Sequence, residues 1–190
     1  HYTPNAGLPM LREAISKYGL PEPNQYAPNE IMVTIGAMNA LSLLMLILLE
    51  PGDHVMIQDP QWLNYAAQIE YCGGVAVKLP TNPEDGFALK AQTIRDHYVP
   101  GKTKILLINS PNNPTGVVLN GESIARVKAA VLGKPIFVIC DNVYQGLSAE
   151  KCPDLSVDPE LKEQLFLCQS FSKPYAMTGW RIGYLVGPAD

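Results

Sequence analysis

Lys104-Ile105-Leu106-Leu107-Ile108-Asn109 runs straight into Ser110-Pro111-Asn112-Asn113-Pro114-Thr115-Gly116, joining an apolar run to an abrupt polar turn. A strand with one wet face alternates apolar and polar residues, but Ile105 to Ile108 is apolar at every position and so belongs in a sheet covered on both faces. Six further short runs read as strands: Ile31 to Ile35, His54 to Gln58, Val75 to Leu79, Ile136 to Asp141, Gln164 to Gln169 and Ile182 to Val186. Met38 to Leu49, Trp62 to Tyr71, Leu89 to His97 and Glu122 to Leu132 carry helical patterns between them. This alternation predicts an α/β fold, a mostly parallel sheet flanked by helices in three α/β/α layers.

At 190 residues and 47% hydrophobic content, the chain can bury a core, and one large domain is expected. A net charge of −4, from 14 basic and 18 acidic residues, offers no broad cationic field for nucleic acid. A small anion would be held by local groups instead. Cys72, Cys140, Cys152 and Cys168 show neither CxxC pairing nor a histidine spacing suited to zinc, so free thiols in a reducing cytoplasm and no metal are expected. Leu41 to Leu49 is the longest apolar stretch and falls short of the roughly 20 residues a membrane helix needs. It reads as a buried core helix. Pro51-Gly52-Asp53 and Gly73-Gly74 are helix stops. The first thirty residues, with one helix from Pro9 to Tyr18, read as an arm leading into a sheet domain of residues 31–190. A chain that opens on His1 and stops at Asp190, just after a strand, reads as a piece of a longer protein.

Parallel sheets bind ligands beyond the carboxyl ends of their strands, so the residues that follow each strand carry the chemical search. After Ile35, Gly36-Ala37-Met38-Asn39 opens a helix; small residues admit a ligand close to the backbone, and free N–H groups with the helix dipole favour phosphate. A glycine needed only for the turn is the plain alternative. After Gln58 comes Asp59-Pro60-Gln61-Trp62, where Trp62 is either a lid for a planar ring or a core tryptophan. Asn112-Asn113-Pro114-Thr115-Gly116 is sound turn chemistry with or without a function. Asp141-Asn142-Val143-Tyr144 puts an acid at the end of an apolar strand. A half-buried carboxylate there needs a cationic partner to stay charged, unless it caps a helix.

The last strand end carries Ser170-Phe171-Ser172-Lys173, with Arg181 eight positions on inside Gly179-Trp180-Arg181-Ile182-Gly183. An amine just after two hydroxyls and ahead of a fixed cation is what pyridoxal 5'-phosphate chemistry needs: a buried lysine lowered in pKa to attack an aldehyde, and an anchor for a phosphate. Together these segments resemble the class I/II aminotransferases of fold type I, over nearly the whole chain from Tyr2-Thr3-Pro4 to Gly187-Pro188. The resemblance implies that Lys173 bonds the cofactor covalently and moves the substrate's α-proton. It further implies that Asp141 pairs with the ring nitrogen, Asn113 and Tyr144 reach the phenolic oxygen, and Trp62 stacks on the ring. Gly36, Ala37 and Met38 (through backbone N–H), Ser170, Ser172 and Arg181 would hold the phosphate. The peptide before Pro114 is expected to be cis on the same ground. Family members commonly carry glutamate where this chain has Asn142.

The activity implied is amino-group transfer between an amino acid and a 2-oxo acid, in a homodimer. A pyridoxal-phosphate lyase of the same fold, or an aminotransferase-like sensor domain of a transcription regulator, shares every motif quoted. The family's small domain, with its arginine for the substrate carboxylate, is not in this chain, and weak cofactor binding without full turnover is expected of the piece alone. His1, His54 and His97 stand away from the motifs and read as solvated or structural.

Overall fold

The computed structural model describes residues 2–148 and 152–189. Seven strands form one sheet: β1 (Ile31–Thr34), β2 (His54–Asp59), β3 (Val75–Pro80), β4 (Thr103–Asn109), β5 (Phe137–Asp141), β6 (Leu165–Ser170) and β7 (Gly183–Val186). Their spatial order is β1-β7-β6-β5-β4-β2-β3. Strands β2 to β6 pair in parallel, while β7 lies antiparallel between β6 and β1, with Ile31 opposite Val186 and Ser170 opposite Gly183. From β2 the chain steps outward to β3 and then returns to the other side of β2 as β4, so the crevice between the β2 and β4 ends is the sheet's switch point.

The helices α2 (Gly36–Leu48) and α3 (Asn64–Tyr71) cover one face, where Leu41, Leu44, Met45 and Ile69 pack on Val55, Ile57, Ile105, Leu107 and Ile139. The other face buries Met56, Leu106, Ile108, Val138 and Leu167 beneath α4 (Ala91–His97) and α5 (Gly121–Val131). Alternate residues of β4 and β5 thus enter opposite cores, as a strand apolar at every position requires. No described helix is long and apolar enough to cross a membrane.

The arm is part of the same core, since Ile15, Leu20 and Tyr26 are buried among the β5, β6 and β7 side chains. Its helix differs from the sequence expectation. The α-helical part, α1 (Pro9–Ala14), widens into a π-helical turn over Ile15–Gly19. Carbonyls freed there accept from outside: Ser16 from Asn24 Nδ2 at 2.7 Å and Gly19 from Tyr184 Oη at 3.0 Å. At the end of α3 the expected stop is a left-handed Gly73 at φ 85°, with Gly73 N–H donating to Glu70 and Gly74 N–H to Ile69. This paired closure satisfies the last carbonyls of the helix.

Asn142, where the family commonly has glutamate, is buried and donates from Nδ2 to Asp154 Oδ2 at 3.0 Å. Asp154 also accepts from Gln145 Nε2 at 2.6 Å and Ser156 N–H at 2.8 Å. Asn142→Glu would set a second carboxylate against this buried acid, and a loss of about 2 kcal/mol is expected in denaturant melts. Asn142→Glu combined with Asp154→Asn should recover much of that loss.

Candidate active site

Nine of the eleven residues singled out in the sequence line one cavity of about 270 Å³ at the carboxyl ends of β4, β5 and β6: Ala37, Met38, Trp62, Asp141, Tyr144, Ser170, Ser172, Lys173 and Arg181. Gly36 adjoins it through Arg181, and Asn113 lines a neighbouring groove that shares Tyr144 with it. A larger groove of about 670 Å³ lies between the arm and the turn after β6, lined by Tyr18, Phe171 and Tyr175 among others. Of the eleven, only Ser170 reaches that groove.

The end expected to hold phosphate is built from the start of α2, the end of β6 and the turns after β6 and before β7. Gly36 has φ 75°, a left-handed conformation, and a Cβ there would fall 2.6 Å from Arg181 Nη2. The guanidinium therefore lies across the bare Cα of Gly36. Arg181 is itself left-handed at φ 54°, and its Nη1 donates to Thr178 O at 2.9 Å. Among the described residues it makes no ion pair. Among the described residues no N-cap side chain accepts from the first turn of α2, and Ala37 and Met38 of that turn line the cavity. The helix begins at Gly36, two residues before the expected start, which makes Gly36, Ala37 and Met38 its first turn. Ser170 Oγ donates to Ile182 O at 3.3 Å and accepts from Ser172 N–H at 3.0 Å, which ties the two serines together.

One expectation fails. Lys173 is exposed, and the buried members of Ser-Phe-Ser-Lys are the serines on either side of Phe171. The lysine stands on the turn where the chain leaves β6, with its ammonium 5.8 Å from the centre of the Tyr144 ring and no ion pair among the described residues.

Asp141 ends β5 at 3% exposure. Its Oδ2 accepts from Tyr65 Oη at 2.6 Å and its Oδ1 from Val143 N–H at 3.3 Å. Burial raises its carboxyl to about 6, against the downward pull of these two hydrogen bonds. No cation pairs with it among the described residues. The folded chain therefore keeps a proton that the unfolded chain has lost between pH 3.8 and about 6, so stability from this group is full below that window and lost as pH rises through it. Asp141→Asn in the cofactor-free protein is expected to be more stable than the parent by about 2 kcal/mol at pH 8, with the gain growing from pH 4 to pH 6 in denaturant melts.

Asn113 Nδ2 donates to Tyr144 Oη at 3.2 Å, leaving the phenol hydrogen free to point into the cavity. The Asn113-Pro114 peptide is cis, as are those before Pro111 and Pro60. Trp62 is half-buried ahead of α3 and meets Tyr65 edge to face, with ring centres 5.4 Å apart. His97 Nδ1 lies 2.8 Å from Thr93 O and His54 is half-buried at the start of β2, while His1 falls outside the described residues.

Two residues were missed. Asn109 is buried at the end of β4, donates from Nδ2 to Asp141 O at 2.8 Å and accepts from Asn113 N–H at 2.8 Å, tying the ends of β4 and β5 to the turn after β4. A polar residue ending an apolar strand was its signal, the same one that singled out Asp141. Tyr65 lies one helical turn beyond Trp62, and its position on a helix gave no signal of a role at the site.

The arrangement fits pyridoxal phosphate on this chain's own evidence. Among the described residues a buried carboxylate has no cation, a guanidinium beside the start of α2 and two serines has no acid, and an amine and a phenol line the same cavity. The described residues hold no group of three or more His, Cys, Asp or Glu suited to a metal ion.

Comparison with known proteins agrees with this geometry. The chain is 39% identical to a probable aspartate/prephenate aminotransferase of Aquifex aeolicus and 36% identical to an aspartate aminotransferase of Geobacillus stearothermophilus, in each case over all of this chain and 49% of the relative. It superposes on the aspartate aminotransferase from Thermus thermophilus with maleate at a TM-score of 0.92 and 34% identity, covering 100% of this chain and 49% of that one. An aromatic aminotransferase from Pyrococcus horikoshii gives 0.92 and 36%, with 51% of its chain covered. The chain thus spans about half the length of the curated relatives it matches. Its α/β sheet, with a lysine, an acid and an arginine gathered at the strand ends, and a match to "Aminotransferase class I and II" that runs over residues 1–190, make it a member of that family.

Proposed function

We infer that the whole protein is a pyridoxal-phosphate-dependent aminotransferase, moving an amino group between an amino acid and a 2-oxo acid, with residues 31–190 as the cofactor-binding unit. The observation that carries this is the buried, cation-free Asp141 in the same small cavity as Lys173 and Arg181. Bound pyridoxal phosphate supplies an aldehyde for covalent attachment and a pyridine ring that accepts the electron pair left when an α-proton departs. Asp141 would hold a proton at the ring nitrogen. Asn113 and Tyr144 would donate to the phenolic oxygen, and Trp62 would cover the ring. Arg181, Ser170, Ser172 and the N–H groups of Gly36, Ala37 and Met38 would bind the phosphate. Lys173 Nζ would be the amine for covalent attachment and the base that accepts and returns the substrate's α-proton.

The relatives' names make aspartate the first donor to try. We also read the protein as a cytoplasmic homodimer. Cys72, Cys140 and Cys168 are thiols outside any disulfide, which suits a reducing compartment, and α2 exposes Leu46 and Ile47 at 60% and 77%. The test uses the full-length protein with cofactor, nitrogen-15 aspartate and 2-oxoglutarate. Label appearing in glutamate supports the reading. Release of labelled ammonia without transfer would favour a lyase, and cofactor binding with neither product would favour a sensor.

A further inference from the structure

We propose that Tyr65 is a positioning residue that clamps the Asp141 carboxylate toward the cofactor's ring nitrogen and, through the same ring, props the Trp62 lid. This rests on the function proposed above. Tyr65 is 3% exposed, and a phenylalanine would fill its apolar surroundings equally well. Its hydroxyl is what a core role leaves unexplained. That hydroxyl is 2.6 Å from Asp141 Oδ2, across 76 residues of sequence, and Tyr65 and Asp141 line the same cavity. Val143 N–H holds the other oxygen, so the carboxylate is fixed at both ends and cannot turn away from the cavity.

The edge-to-face contact with Trp62 puts lid and acid on a single support. A charge-assisted O–H···O bond also makes the carboxylate a weaker base. A proton shared between Asp141 and a ring nitrogen then stays on the nitrogen. Burial and Asp141 both push the Tyr65 phenol well above its usual range, so the hydroxyl stays protonated and remains a donor through the working pH range. The other titratable groups facing this pair are Cys168 on β6, Cys140 on β5, Tyr144 beyond β5, and Lys173 and Arg181 across the cavity. Both thiols stay neutral because burial raises them.

Tyr65→Phe in the full-length protein tests this, with Asp141→Asn and the double variant completing the cycle. In cofactor-free protein, the Asp141 midpoint followed by carbon-13 carboxyl resonances should move upward in Tyr65→Phe. Equilibrium dialysis with pyridoxal phosphate should show about tenfold weaker binding in Tyr65→Phe, and much less than tenfold further weakening when Tyr65→Phe is added to Asp141→Asn. An unmoved midpoint, or an equal loss of affinity with and without the Asp141 carboxylate, overturns the proposal and leaves Tyr65 as packing. Failure of the parent protein to bind pyridoxal phosphate would instead overturn the function on which it rests.

Discussion

Lys173→Ala in the full-length protein is expected to lower amino transfer about ten-thousand-fold while leaving the fold intact. Proton transfer by a positioned side chain contributes roughly 10² to 10⁴ in rate, and loss of the covalent attachment adds to this. The structural side of the expectation comes from exposure. Lys173 makes no ion pair among the described residues and buries little, so its removal should shift stability by no more than about 0.5 kcal/mol. Arg181, Ser170 and Ser172 remain, so the variant should still bind pyridoxal phosphate noncovalently. Initial rates with aspartate and 2-oxoglutarate, beside thermal melts of both proteins, check the two halves together. A variant that transfers amino groups at the parental rate would remove Lys173 from the chemistry.

Gly183→Ala should be the most damaging single methyl in the molecule's site region, costing about 3 kcal/mol. A Cβ on Gly183 would lie 2.6 Å from Gln169 O, 2.7 Å from Gly36 C and 2.8 Å from Ala37 N, all of them backbone atoms that no rotamer change can move. β6, β7 and the first turn of α2 would have to separate. The same turn presents the N–H groups proposed to hold phosphate, so affinity for pyridoxal phosphate should fall along with the melting temperature. Gly179 lies in the same short segment with nothing within 4 Å of its added Cβ and no left-handed φ, so Gly179→Ala should change stability by less than about 0.5 kcal/mol. Equal effects of the two substitutions would contradict this packing account.

Much of this was legible in the amino-acid order, and the reasons differ by element. Each strand falls within one residue of its expected ends, because apolar runs such as Ile105 to Ile108 are cut off by glycine, proline or a polar turn. Insertion of β7 between β1 and β6 was not legible: the pairing of Ile31 with Val186 is a long-range event that no local pattern encodes. The strand-end acid was readable because a carboxylate after Val138-Ile139-Cys140 must either cap a helix or meet a cation, and Asn109 after Leu107-Ile108 deserved the same suspicion. Tyr65 was hidden because a tyrosine on the inner face of an amphipathic helix is ordinary core, until its hydroxyl is found against Asp141. Lys173 was expected to be buried from the chemistry asked of it, whereas the turn leaving β6 leaves it exposed and buries the neighbouring serines instead.

The most direct test of the central claim is to saturate the full-length protein with pyridoxal phosphate, reduce it with borohydride, digest it and map the modified peptide. The account predicts one stable adduct, on the Lys173 side chain, and its loss in Lys173→Ala. An adduct on another lysine, or none under conditions where free cofactor is reduced, would contradict it.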